Sequence, residues 1–252
     1  MKRIREKESM DAADEVEVLD KLEKSFFNKW LIRNFVDCAL NIGIEAGKVL
    51  DIGSGTGLIP IHMFLKNPHL EICGIDISEG MIKKAYENLR MYGLESKITF
   101  LVGDAKILPF KDNYFDLITC NHLLHHLESP VPLLNEIERV AKNDAGILIR
   151  DVRRQKTKLQ YNLYRIFLKM IYEKKEKELT CNSMAAGFTP EELLSFLKQS
   201  NLKGARVVRY YLVPAVLEII AGIERARQNR KKNKNIFPDN IPLPFPGKKY
   251  LN

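Results

Sequence analysis

The chain has 252 residues, 45% hydrophobic and 29% charged, with a net charge of +8. That is long enough for one α/β domain with additions and a sizeable core. Its four scattered cysteines (Cys38, Cys73, Cys120 and Cys181) form no C-x-x-C pair, which excludes a zinc knuckle or a thioredoxin-like redox pair and fits a reducing, cytoplasmic setting. No run spans a bilayer: the most apolar late stretch, residues 211–222, holds Pro214 and Glu218.

Residues 1–13 are densely charged, lack the apolar core of a signal peptide and read as disordered. Asp14 can cap a helix over 14–41, with Leu19, Leu22, Phe26, Phe27, Trp30, Leu31 and Phe35 at spacings of three and four. This helix can pack on the core, close as a lid with Phe26, Phe27 and Trp30 as walls, or do both.

The organising stretch is residues 48–58, Lys-Val-Leu-Asp-Ile-Gly-Ser-Gly-Thr-Gly-Leu. An apolar strand ends near Asp51, a turn follows through Gly53, Gly55 and Gly57, and a helical pattern starts at Leu58. Strand, glycine turn and helix N-terminus bring backbone N–H groups against a nucleotide-like ligand. The dinucleotide fingerprint G-x-G-x-x-G does not fit, because its third glycine position is Leu58. A carboxylate at Asp51 would repel a pyrophosphate, but it suits a ligand with a cationic amine and no phosphate, such as S-adenosylmethionine (SAM).

Asp51-Ile-Gly-Ser-Gly-Thr-Gly resembles motif I of the class I SAM-dependent methyltransferases. The likeness covers about residues 48–151 and is similar in flavour to the ubiquinone/menaquinone-biosynthesis-like branch. It implies an α/β doubly wound, mostly parallel sheet of the seven-stranded type, with a helical lid before it and a helical insertion after the fifth strand.

Further along, residues 70–76 read as a second buried strand ending in Asp76, nineteen residues after Gly57. A carboxylate at that spacing can accept from both ribose hydroxyls, the role the resemblance also implies. Ser78 caps a helix stopped by Gly93, and Met81 falls where the family packs a side chain near adenine. A strand over 97–102 leads to Gly103-Asp104-Ala105, whose acid matches the family's partner for the adenine amine. The strand over 114–120 runs into Asn121-His122-Leu123-Leu124-His125-His126. The resemblance puts this segment facing the methyl group and adds Asn121 to the cofactor set. The histidine spacing leaves three alternatives open: pocket lining, a general base at His125 or His122, or a metal site. No carboxylate is spaced to complete a ligand set, so no metal is expected. The Asn/Asp-Pro-Pro-Tyr/Phe motif of many amino-group methyltransferases is missing, and Cys120 lacks the following proline of cytosine-C5 enzymes.

A helix from Ser129-Pro130 to about residue 142 and a turn over 143–146 precede a fifth strand over 147–151. Residues 161–172 are apolar all round a helix, interrupted by Asn162, Arg165 and Lys169. Such a helix must bury most of itself on the core or a second subunit, or cap a hydrophobic acceptor pocket. Residues 173–178 read as an exposed, mixed-charge end. Thr189-Pro190-Glu191-Glu192 opens another helix, and a strand over 205–213 follows; residues 214–220 read either as its antiparallel partner or as a helix start. Residues 222–252 hold eight basic and two acidic residues, which leaves the body nearly neutral.

The expected organisation is a disordered 1–13, a methyltransferase domain over 14–227 (lid 14–41, SAM-binding core 48–151, cap 153–180) and a basic, Pro-rich, extended or disordered tail over 228–252. The expected reaction is methyl transfer from SAM to a small, hydrophobic or aromatic acceptor. Two other readings stay open: a SAM-binding scaffold without catalysis, and action on RNA or protein through the tail. The neutral body argues against nucleic acid.

Overall fold

A computed structural model describes residues 1–9, 11–42, 45–210, 216–221 and 248–251. Eight strands among them form one sheet: β1 (Gly47–Ile52), β2 (Leu70–Asp76), β3 (Ile98–Val102), β4 (Phe115–Asn121), β5 (Ala141–Val152), β6 (Arg206–Tyr210), β7 (Val216–Ala221) and β8 (Lys248–Leu251). Their order is β3-β2-β1-β4-β5-β7-β6-β8. β1 to β5 are parallel, while β7, β6 and β8 are antiparallel additions. The order reverses between β1 and β4, so a crevice opens beyond their carboxyl ends, where open α/β sheets bind ligands.

Alternation along each strand sends neighbours to opposite faces. Val49, Leu117 and Leu148 enter one core, while Leu50, Ile118 and Ile149 enter the other. The first core is covered by α2 (Phe26–Ile42), α3 (Leu58–Lys66) and α4 (Glu79–Met91); the second by α5 (Val131–Val140) and α8 (Pro190–Gln199). A third, smaller core joins Leu22 of α1 (Ala13–Lys24), Val152, Leu168 and Tyr172 around α6 (Lys158–Ile171), and Cys181 and Met184 of α7 (Lys174–Ala186).

Several expectations need correction. The helix over 14–41 is two helices, because Ser25 takes an extended ψ of 156°. Its hydroxyl accepts from the Asn28 side chain, a local bond that competes with helix continuation. Phe26, expected as a lid wall, is 93% exposed and does not line the cavity, whereas Phe27 and the half-exposed Trp30 do. The fifth strand starts at Ala141: the expected turn over 143–146 is taken into β5, with the register shift against β4 between Phe115 and Leu117. Residues 173–178 open α7, where Glu173 and Glu176 form a capping box and Glu176 is buried. Residues 216–221 form a strand, the antiparallel partner the sequence left open, and residues 211–215 lie outside the described residues. In the expected tail, 248–251 pair with β6, and 228–247 lie outside the described residues.

The expected disorder of residues 1–13 is also overturned. Residues 1–9 form a strap, and α1 begins at Ala13. Arg3 donates to the carbonyls of Ala186 (2.6 Å), His125 (2.8 Å) and Leu127 (2.7 Å) and lies 3.9 Å over the Phe188 ring. The Ala186 carbonyl belongs to the last turn of α7, where a guanidinium is favoured by the helix dipole.

Candidate active site

The glycine turn follows from backbone sterics. Gly53, Gly55 and Gly57 have φ of 69°, 50° and 79°, which side chains other than glycine's rarely adopt. At Gly55 an added Cβ would meet only Glu23 and Leu19, at 3.9 and 4.0 Å, so the backbone there is open to a ligand. Gly57 differs: a Cβ would strike Phe100 at 2.7 Å and Ala85 at 2.9 Å. Its glycine serves packing beneath the site, and it does not line the cavity.

Asp76 closes β2 at the cavity wall. Its two oxygens accept from the N–H of Gly55 (2.8 Å) and of Ser78 (3.0 Å), which fixes the carboxylate without using all its lone pairs. Burial raises its pKa, and these N–H donors oppose that rise. Ser78 Oγ caps α4 by accepting from Met81 N, and Met81 lines the cavity beside Gly103, Asp104 and Ala105. Asp104 accepts from Lys106 N at 2.8 Å.

Asp51 is one layer too deep for direct contact: it is fully buried and takes the Thr119 hydroxyl at 2.6 Å. Its other oxygen has no partner among the described residues, and burial pushes its pKa up to about 7. A second acid that lines the cavity beside Gly55 is Glu23 of α1, bonded to the Thr56 hydroxyl and also pushed up to about 7 by burial. An acid within an amphipathic helix carries no motif, so nothing in its spacing marks it out.

His122, at the end of β4, has φ 58° and donates its N–H to Arg150 O at 2.9 Å. Its ring is accessible on the cavity side but otherwise walled by protein; burial lowers its pKa to about 4, so it is neutral. His125 is 2% exposed. Burial alone would lower its pKa, but Asp151, 2.6 Å from Nδ1, and Glu6, 3.4 Å from Nε2, outweigh it and the net shift is upward. The histidines are not on one helical face: Leu124–His126 is a single 3-10 turn, and His126 Nδ1 meets Lys7 O at 2.6 Å. The carboxylates that spacing did not foresee come from β5 and the strap. Glu6, His125 and His126 bring one donor atom each within 4.8 Å of one another.

One cavity of about 710 Å³ joins the lining groups. Its strand-end wall is polar, with Gly53, Ser54, Gly55, Asp76, Asp104, Ala105, Asn121 and His122, and its helical wall carries His125 of the 3-10 turn. Its apolar wall comes from Phe27 and Trp30 of α2, Leu163, Tyr164 and Phe167 of α6, and Tyr172. No described helix is long and apolar enough to cross a membrane.

A family described as a methyltransferase domain matches residues 45–203. The chain is 34% identical over 142 residues to demethylmenaquinone methyltransferase of Thermotoga maritima, covering 56% of this chain and 58% of the relative. It is 38% identical over 101 residues to ajmaline N-methyltransferase of Rauvolfia serpentina, covering 40% and 34%. The chain thus spans a third to three-fifths of the length of these curated relatives. In fold it is similar to a SAM-dependent methyltransferase from Aquifex aeolicus (TM-score 0.58, 22% identity, 84% of this chain and 98% of that one). It is also similar to the plantazolicin methyltransferase BamL, solved with a triazolic desmethylPZN analog and SAH (TM-score 0.64, 16% identity, 83% and 91%).

Proposed function

The chain belongs to the methyltransferase-domain family, and from that premise we propose that it transfers the methyl group of SAM to a small apolar or aromatic acceptor held under α6. The observation that carries this is the cavity itself, with nucleoside-binding groups on one wall and aromatic and aliphatic side chains on the other.

The residues present fit SAM. Gly55 leaves an open approach, Asp76 keeps lone pairs for ribose hydroxyls, and Asp104 can accept from the adenine amine, next to Met81 and Ala105. The buried Ser54 hydroxyl, unpartnered among the described residues, stands in the same wall. Glu23 faces the amino acid end, and Asp51 supports it from one layer below. When bound, SAM supplies a methyl carbon already activated by its sulfonium.

The chain's own work is alignment, water exclusion and proton handling. Holding two reactants in line contributes about 7–11 kcal/mol in well-aligned cases. The aromatic wall and strap shield the reacting end. His125 is the base: with Nδ1 tied to Asp151, its Nε2 takes the proton the acceptor loses, and Asp151 and Glu6 stabilise the imidazolium. His122, neutral and facing the cavity, lines the acceptor's path. In this division 48–151 holds SAM, 14–41 is the lid and 153–180 the cap.

The test is calorimetric titration with S-adenosylhomocysteine (SAH), followed by turnover with phenols and quinols. Wild type should bind, and Asp76→Ala should lose about 3–5 kcal/mol, roughly 150- to 5,000-fold in affinity. Absence of SAH binding by the wild type would sink the proposal.

A further inference from the structure

α6 has two apolar faces, only one of which is used inside the molecule. Tyr161, Tyr164, Leu168 and Ile171, at i, i+3, i+7 and i+10, face the third core. Leu159, Leu163, Ile166 and Met170, at i, i+4, i+7 and i+11, form a second stripe along the outside. They are 69%, 58%, 63% and 84% exposed, and Leu168 alone of the helix is buried. Within this chain only one face of the helix packs on the core, so the expected burial on the core is met by that face alone.

The outer stripe has a charged flank. Lys158, Arg165 and Lys169, at i, i+7 and i+11, run along one side of it, and the helix contains no acid. All three are exposed, with exposed Lys156 just before the helix and Lys174 and Lys175 just after. Among the described residues no carboxylate pairs with Lys158, Arg165 or Lys169. An apolar stripe flanked by lysine and arginine suits a helix that lies in the plane of a bilayer interface and draws on anionic headgroups.

We propose that α6 docks this chain on an anionic lipid surface, stripe inward and basic flank at the headgroups. This goes beyond the methyl-transfer reading and does not depend on it. Two features favour lipid over a second copy of the chain. A stable protein interface takes about 20–30 residues a side, against the few side chains of this one-helix stripe. An antiparallel two-fold contact through the stripe would also bring the uncompensated cations of one copy toward those of the other. The docked orientation has a structural consequence. Leu163 lies in the outer stripe and lines the cavity, as do its neighbour Phe167 and the half-exposed Trp30, so apolar surface runs unbroken from the docking face into the cavity.

The experiment is co-sedimentation of the full chain with vesicles of phosphatidylcholine alone or with about one-third phosphatidylglycerol, at low and high salt. Wild type should pellet with the anionic vesicles at low salt and be released at high salt. Ile166→Glu/Met170→Glu should cut partitioning roughly tenfold or more. Arg165→Gln/Lys169→Gln should cut it about fivefold per residue. Neither pair lines the cavity, so circular dichroism and SAH binding should match wild type and verify folding. Wild type left in the supernatant with anionic vesicles at low salt overturns the proposal. So does Ile166→Glu/Met170→Glu pelleting like wild type, which would place any lipid contact elsewhere. A self-association seen by sedimentation velocity, abolished by that variant and without vesicle binding, would assign the stripe to a second copy and equally overturn it.

Discussion

The strand-end wall of the cavity and its helical wall are held in different ways. Asp76 is fixed by N–H groups 2 and 21 residues away, both set by the strand-turn-helix path of the backbone. His125 is fixed by Asp151, 26 residues on, by Glu6 from the strap, and by Arg3, 122 residues back, at its carbonyl. Local backbone geometry leaves a spacing pattern in the sequence, whereas contacts between distant side chains leave none. The first wall is rigid by construction; the second depends on several segments arriving together.

The sharpest probe of the second wall is His125→Ala. If His125 is the base, kcat falls roughly 10²–10⁴-fold while SAH affinity stays near wild type; an unchanged kcat would reduce the histidine to packing. The pH profile sharpens this. A base with a raised pKa is neutral only above it, so kcat/KM should climb with pH beyond the ordinary value of 6.5. Glu6→Gln removes an anion that favours the imidazolium and should move that limb toward acid. The same shift bears on stability: a raised folded pKa contributes stability that is full below pH 6.5 and lost as pH rises through the folded value.

Gly57→Ala tests the rigidity of the first wall. A left-handed φ and contacts of 2.7 and 2.9 Å predict a loss of about 2–4 kcal/mol, read by chemical denaturation. Phe26→Ala, on the exposed side of α2, should stay within about 0.5 kcal/mol. Equal losses at the two positions would erase the contrast.

The smallest expected effect lies where the walls meet. Glu23, from α1, stands at the glycine turn with a pKa of about 7. An ionised Glu23 attracts the ligand's ammonium, so SAH affinity should rise a few-fold from pH 6 to pH 8, about 1 kcal/mol. Glu23→Gln should flatten that dependence; an unchanged slope would transfer it to Asp51, which burial also pushes up to about 7.

The sheet core was legible because its strands are apolar runs and three of the first four run into an acid or a glycine, at Asp51, Asp76 and Gly103. β2 falls on the expected residues, and Ser78 caps α4 as its sequence position implies. The lid was legible as helix but not as two helices, since Ser25 breaks it through a side-chain bond that propensity does not weigh. Glu6, Glu23 and Asp151 were invisible as partners because nothing local distinguishes them from surface acids. The order of the strap is hidden for a related reason: it comes from carbonyls of α7 and the 3-10 turn, which a charged segment cannot advertise.

The pairing of β8 with β6 has a bearing on handling the protein. A strand left at a sheet margin offers a row of unpaired N–H and C=O groups, a template for any other extended chain. Here Val207 to Tyr210 meet Leu251 to Lys248 in antiparallel register, so that row is already taken. Removing those four residues would turn β6 into a sticky border, and the first sign would be a drop in soluble yield rather than a change at the distant cavity.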